Sequence, residues 1–368
     1  MKKALIHDWY YVNGGAEKVI HSINNIWNDF DHFALIDFLS EEDRDFILKG
    51  AKVNTTFIQN LPTAKKDHRK FLQFFPYAIE RFDLKDYDLI ISSSSSIAKG
   101  VKTNKNQLHI CYCHSPMRYA WDLQDQYLEG LKFKNIILKK YIKWVLNRMR
   151  KWDLESNKNV DYFVANSNYI AERIKRIYKR ESTVIYPPVD IEKFHIENNK
   201  EEYYLAASRL VQYKKIGLIV EAFNKMPEKK LIIIGDGPEM NRIRKSANKN
   251  IQLLGFVPDK KMTKYMQKAK AFVFAAEEDF GIISVEAQAC GTPVIAYNKG
   301  GSTEIINNNE TGIFFNEQNP EAIIDSVTKF EAINFDFEKI RKNAVRFNKK
   351  RFEEEFQSFV EDKILKKH

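Results

Sequence analysis

Two glutamates eight positions apart, Glu278 and Glu286, bracket the turn Asp279-Phe280-Gly281 and the pair Ile282-Ile283. Gly281 lets the backbone come close to a ligand. A helix expected to start near Ile282 or Ile283 offers free N–H groups and the positive end of its dipole, which suit a phosphate. Two carboxylates would repel a diphosphate at that place, so hydroxyls, as on a ribose and a hexose, are their more natural partners. Arg209 and Lys214, five positions apart, supply the complementary chemistry. A planar guanidinium and an ammonium can clamp a diphosphate and stabilise its charge as it leaves. The bland alternative is two solvated glutamates on a surface helix.

Regular elements must deliver these groups. The apolar run Ala271–Ala276 reads as a buried parallel strand, and Gly291 and Pro293 end the helix before another strand, Val294–Tyr297. Tyr203–Ala207 reads as a strand that ends at the Arg209–Lys214 loop, ahead of a helix at Ile216–Phe223. Leu231–Ile234 leads into Gly235-Asp236-Gly237-Pro238, and Gly255-Phe256-Val257-Pro258 forms a further loop. Gly300-Gly301-Ser302-Thr303-Glu304 closes the region.

The first half repeats the strand, loop and helix order. Ala4–His7 is a strand, Gly14-Gly15 a turn, and Val19, Ile20, Ile23 and Ile26 line one helix face, a doubly wound opening. The two glycines mark either a tight turn alone or a close approach of backbone to substrate. Further strands are expected at Ala34–Phe38, Val53–Thr56, Tyr87–Ser92, Leu108–Cys113, Tyr162–Ala165 and Thr183–Tyr186. Ser92–Ser96 is either a ligand-facing strand end or a turn with a helix cap. Leu108–Cys113 delivers His114 and then Arg118, Trp121 and Asp122 to the end of a strand, where an α/β site opens. The prolines Pro187-Pro188 stiffen a connector, which places a boundary between domains at 1–187 and 188–349.

The spacing E-x7-E followed by EAQACGTPVIA resembles the donor site of retaining nucleotide-sugar glycosyltransferases of family 4, which have the GT-B fold. That resemblance implies two Rossmann-like α/β domains facing each other across a deep cleft. A helix at about 350–368 would pack back on the first domain. Arg209 and Lys214 match the family's R-x4-K pair, and by resemblance they stabilise the leaving diphosphate with the helix near Ile282. Donor contacts would also come from Gly14, Gly15, Val257, Phe280, Gly281 and Ile283, the loop of Val257 lying along the nucleobase. Glu286 would hold the ribose and Glu278 a hydroxyl of the transferred sugar.

CHSPMRYAWD resembles the subgroup that builds O-antigen and capsule chains, several of which use GDP-mannose. Carried over, His114 touches the transferred sugar, and Arg118, Trp121 and Asp122 line the acceptor side. The resemblance implies front-face retention without a metal or other cofactor, and a glycan or undecaprenyl-linked acceptor. A UDP-sugar-dependent transferase, a sugar-nucleotide 2-epimerase and a non-catalytic sugar-nucleotide binder stay open as alternatives.

At 368 residues the chain is too long for one ordinary core. With 59 Lys+Arg against 49 Asp+Glu its net charge is +10, which suits anionic partners. Cys111, Cys113 and Cys290 lack a second pair for a zinc site and read as buried reduced thiols. MKKALIHDW is too short and polar for a signal peptide, and no run reaches the ~20 apolar residues that span a bilayer. A cytoplasmic protein is expected, peripheral at the inner membrane face. Lys65–Arg81 and Lys132–Lys151 interleave basic and aromatic residues. The second reads as docked core with a charged face or as a surface for an anionic membrane. Nucleic acid fits less well, since no recognised binding module accompanies the charge.

Overall fold

The computed structural model describes residues 1–122, 124 and 136–367. The chain divides into two compact units, Met1–Pro188 with Phe352–His368, and Val189–Arg351. Lys132 and Lys134 of the basic-aromatic segment lie outside the described residues.

The first unit is built on seven parallel strands: β1 (Lys3–His7), β2 (Phe30–Ala34), β3 (Val53–Thr55), β4 (Leu89–Ser94), β5 (Leu108–Cys113), β6 (Tyr162–Ala165) and β7 (Ser182–Val184). Their order is β3-β2-β1-β4-β5-β6-β7. The direction of winding reverses between β1 and β4, so the strand ends there open a crevice. Side chains alternate across the sheet. Leu5, Leu89, Ile91 and Ile110 pack on one face against Val19, Ile20 and Ile23 of the helix Gly15–Ile26. Phe352, Phe356 and Val360 of the closing helix Lys349–Lys367 join them. Ala4, Ile6 and Ile90 pack on the other face with Val145 and Met149 of the helix Ile136–Ser156.

That second helix is pinned by a buried ion pair. Lys99 Nζ lies 2.9 Å from Asp153 Oδ1, and the two side chains are 1% and 0% exposed. Trp121 Nε1–H and the Tyr178 hydroxyl also donate to the Asp153 carboxylate, at 2.8 Å and 3.0 Å. A buried carboxylate needs such a full set of donors.

Several strand bounds differ from the sequence expectation, and two of the differences matter most for the first unit. The strand expected at Ala34–Phe38 is Phe30–Ala34, where β2 pairs in register with β1 from Lys3↔Phe30 to His7↔Ala34; beyond it the pairing thins to the single bridge Tyr10↔Asp37. The strand expected at Tyr87–Ser92 runs on through Ser94, so Ser92, Ser93 and Ser94 are buried strand residues.

The second unit holds six parallel strands: β8 (Tyr203–Ala207), β9 (Lys230–Ile234), β10 (Ile251–Gly255), β11 (Ala271–Phe274), β12 (Val294–Tyr297) and β13 (Gly312–Phe315). Their order is β10-β9-β8-β11-β12-β13, with the reversal between β8 and β11. The edge strands β10 and β13 are not among the sequence expectations. β10 is half-exposed and interrupted by Gln252, and β13 opens on Gly312 after a polar turn, so neither shows the apolar run of a central strand. After β13 the chain forms three helices, Pro320–Glu331, Phe337–Val345 and the Lys349–Lys367 helix already placed in the first unit's core. The last two helices are separated at Phe347, whose carbonyl accepts from Val189 N.

Candidate active site

In the second unit β8 and β11 are neighbours, with Leu205 paired to Phe272. The loop carrying Arg209 and Lys214 leaves the end of β8, and the turn carrying Glu278 and Gly281 leaves the end of β11. Both therefore sit at the reversal point, the preferred ligand position of an open parallel sheet. Backbone contacts hold the first loop: Ser208 N donates to Ile234 O and Leu210 N to Asp236 O. Gly235, at φ +131°, is required there, since a Cβ would lie 1.8 Å from Ser208 O. The Arg209 side chain is exposed, and Lys214 is half-buried. Lys215 takes φ +57° at the N-terminus of the helix Ile216–Asn224, which makes it a turn residue.

Lys214 Nζ lies 2.7 Å from Glu278 Oε1, with 19% and 15% of the two side chains exposed. The contact is an ion pair by distance, but Oε1 accepts no aligned hydrogen bond. The sequence assigns these residues to two different parts of a ligand, and the fold brings them together. The Glu278 turn is stitched to the Gly300-Gly301 turn, where Gly301 N donates to Glu278 O at 2.9 Å. A Cβ on Gly300 would meet Glu278 O at 2.4 Å, and one on Gly301 would meet Phe280 Cα at 2.3 Å.

Gly281, at φ +97°, caps the helix Ile282–Ala289 without a side-chain hydrogen bond. The first-turn N–H groups of Ile282 and Ile283 are thus left to an anion. Ile282, Ile283 and Glu286 form its half-exposed stripe, while Ser284, Val285, Ala287 and Ala289 are buried. At the other end the Arg341 guanidinium donates to Ala289 O, a cation on the negative end of the dipole. Phe280 is buried with its ring edge-on to Phe347, and Val257 is buried on its loop beside the exposed Phe256. Phe280 and Val257 can reach a ligand only through backbone.

In the first unit His114 follows β5, and its Nε2 is 2.8 Å from Ser93 Oγ. Burial, with a smaller effect of His7, pushes its pKa down to about 3, so its imidazole is neutral at physiological pH. Ser93 O accepts from His7 Nδ1 at 3.1 Å, and His7 Nε2 is 3.5 Å from Glu17 Oε1. Burial lowers the His7 pKa, but the hydrogen bond and charge of Glu17, with Asp8 and the Ser93 carbonyl, raise it above the ordinary value overall. Glu17 Oε2 also accepts from Gly14 N at 3.1 Å, which fixes the turn before Gly15.

Glu17 and His7 escape the sequence reading, although a glutamate three residues after Gly14 has the spacing of a capping box. Ser93, by contrast, lies in the run Ser92–Ser96, read there as a ligand-facing strand end or a turn with a helix cap. Asp8, too, escapes the sequence reading. This carboxylate, 1% exposed, accepts from the N–H groups of Ser95, Ile97 and Ala98 at 2.6–2.7 Å. Of the expected acceptor-side residues, Trp121 donates to Asp153 as above, and Asp122 pairs with Arg173 and with Arg176. Arg118 is half-buried. The polar groups of Trp121 and Asp122 are engaged inside the unit. Among the described residues no group of three His, Cys, Asp or Glu side chains is placed to hold a metal ion. Cys111, Cys113 and Cys290 are free and buried.

The model of Glycosyltransferase Family 4 matches residues 13–193, and that of Glycosyl transferases group 1 matches 189–351. An uncharacterized glycosyltransferase of Methanocaldococcus jannaschii is 29% identical over 201 residues, 52% of this chain and 56% of its own. The capsular polysaccharide biosynthesis glycosyltransferase CapM of Staphylococcus aureus is 29% identical over 194 residues, 47% of this chain and 50% of its own. The match thus spans about half the length of these relatives. The crystal structure of HepE from Anabaena in complex with UDP superposes with a TM-score of 0.72 at 17% identity, covering 98% of this chain and 100% of that one. Its likeness shows the fold. With two Rossmann-like units of GT-B type and the two domain matches running end to end, the chain belongs to the family 4 glycosyltransferases.

Proposed function

We propose that the chain transfers a hexose, with retention and without a metal, from a nucleoside diphosphate sugar to a glycan or lipid-linked acceptor in surface polysaccharide synthesis. The observation that carries this reading is the juxtaposition of Lys214, Glu278 and the uncapped start of the helix Ile282–Ala289 at one reversal point. Arg209, Lys214 and that helix start stabilise the departing diphosphate. Glu278 holds a hydroxyl of the sugar and Glu286 the ribose. The bond from the anomeric carbon to phosphate breaks as the bond to the acceptor oxygen forms on the same face, and a phosphate oxygen takes the acceptor's proton. His114, neutral and oriented by Ser93, serves as a hydrogen-bonding partner of the sugar.

GDP-mannose is the favoured donor, supported by the resemblance of CHSPMRYAWD to mannosyltransferases of O-antigen and capsule synthesis. The name of CapM agrees with a surface-polysaccharide product. Arg118 is kept as an acceptor contact, with Trp121 and Asp122 shaping the segment that carries it. The site of action proposed is the inner face of the cytoplasmic membrane. Among the described residues no helix is long and apolar enough to cross it.

Thermal stabilisation by GDP and by UDP, each with and without magnesium, tests the reading. A ligand at a hundred times its Kd adds ~2.7 kcal/mol. A shift with GDP alone, independent of magnesium, supports mannose as the sugar. UDP alone keeps the site and discards GDP-mannose. A shift that requires magnesium overturns metal independence, and no shift with either nucleotide overturns the donor site.

A further inference from the structure

The helix Ile136–Ser156 is apolar on two sides. Its inward side, Val145, Leu146 and Met149, is occupied by the core. Its outward side carries Ile136, 70% exposed, then Tyr141 and Trp144, the last 54% exposed and stacked on Tyr141 at 6.2 Å. Exposed Lys139, Lys140 and Lys143 flank these residues, and the helix has no acidic residue before Asp153. Among the described residues none of the three lysines has a carboxylate partner.

The patch continues past this helix. The Tyr141 hydroxyl donates to Gln73 Oε1, which joins the helix to the segment bearing exposed Phe74 and Tyr77 and exposed Lys65, Lys66 and Lys70. Exposed apolar and aromatic side chains clustered among predominantly basic residues mark an interaction site. Aromatic rings beside lysines are the composition of a surface that lies on anionic lipid.

We propose that this face docks on the anionic headgroup layer of a bilayer, with Trp144, Tyr141 and Tyr77 entering the headgroup boundary and the lysines facing lipid phosphates. The inference rests on the reading of the chain as a transferase with a lipid-carried acceptor and names the surface that would meet that lipid. The inner side of the same patch supports the β1 loop. His68 lies 5.0 Å from Trp9 and 5.9 Å from Tyr11, and the Tyr11 hydroxyl donates to Lys65 O. Docking therefore holds the bilayer beside the loop that ends at Gly14-Gly15.

The full chain is sedimented at low salt with vesicles of phosphatidylcholine alone and of phosphatidylcholine with phosphatidylglycerol. Binding is expected with the anionic vesicles and weakened by salt. The variant Lys139→Gln/Lys140→Gln/Lys143→Gln is expected to lower the partition coefficient on the order of 100-fold, about fivefold for each charge. Trp144→Ala is expected to weaken the binding that survives high salt. All four positions are exposed, and the lysine variant alone decides the matter if Trp144→Ala does not fold. Indifference of the wild type to anionic vesicles, or equal binding by the lysine variant, overturns the proposal. So does a dimer in solution that Trp144→Ala converts to monomer while vesicle binding is unchanged, since the face then meets a second copy. Nucleotide-induced thermal shifts on the same preparations report the donor site separately, so loss of one reading is distinguishable from loss of the other.

Discussion

Lys214→Ala separates the proposed phosphate clamp from a merely structural ion pair. Lys214 Nζ is 2.7 Å from Glu278 Oε1 in a pair that is mostly, not fully, shielded from water. A unit charge ~4 Å from another is worth ~4 kcal/mol at the effective dielectric of such a place. Only the part gained as charge develops on the leaving phosphate lowers the barrier, so ~1.4 to ~4 kcal/mol is at stake, about 10- to 1,000-fold in kcat. Truncation also leaves the Glu278 carboxylate without its cation, and a fully buried pair so broken costs ~3–5 kcal/mol. Residual exposure brings the expected stability loss below that range. The assay is release of GDP from GDP-mannose, or of UDP from a UDP-sugar, followed at saturating donor beside the urea midpoint. Glu278→Gln serves as the partner control. It removes the negative charge but keeps a polar side chain, so it should lower turnover with little loss of stability. A folded Lys214→Ala protein with kcat within about twofold of wild type would refute the clamp.

Gly301→Ala should be far more disruptive than a methyl group suggests, because the new Cβ would lie 2.3 Å from Phe280 Cα and backbone has to move. The expected cost is ~1–3 kcal/mol with a weakened nucleotide-induced thermal shift, and wild-type values of both would contradict the stitched-turn account. Acid should destabilise the first unit well above the carboxylate range. Burial pushes the pKa of His109 down to about 4 and that of His114 to about 3. Below the unfolded value of ~6.5 the unfolded chain binds protons that the native chain excludes, so stability falls as pH drops from ~6.5 towards ~4, by up to ~1.4 kcal/mol per pH unit for each group. His7 runs the other way: its pKa is raised, so its contribution is full below ~6.5 and fades as pH rises through its folded pKa. Urea midpoints across this range check the sum, and a midpoint unchanged between about pH 7 and about pH 4.5 would refute it.

Chemistry that sits in short, contiguous stretches is legible without coordinates. The donor-side motif reads directly because Gly281, the helix start and Glu286 are neighbours along one strand, turn and helix, and local rules of capping and periodicity govern them. Central strands such as β5, β8 and β12 read for the same reason, their apolar runs being buried on both faces. The edge strand β10 does not, because half-exposure dilutes its pattern, and the bounds of β2 depend on its pairing with β1. The pairing of Lys214 with Glu278 spans 64 positions and follows only from the adjacency of β8 and β11. The chain Glu17–His7–Ser93–His114 likewise joins β1, β4 and β5 with the first helix. Engagement of Trp121 and Asp122 by distant partners is a third case, since their residue types alone suit an acceptor equally well. The sequence by itself determined which side chains are available and which local element carries each one. Tertiary structure decided which of them meet and which are buried, because strand order and packing bring together residues that have no relation along the chain.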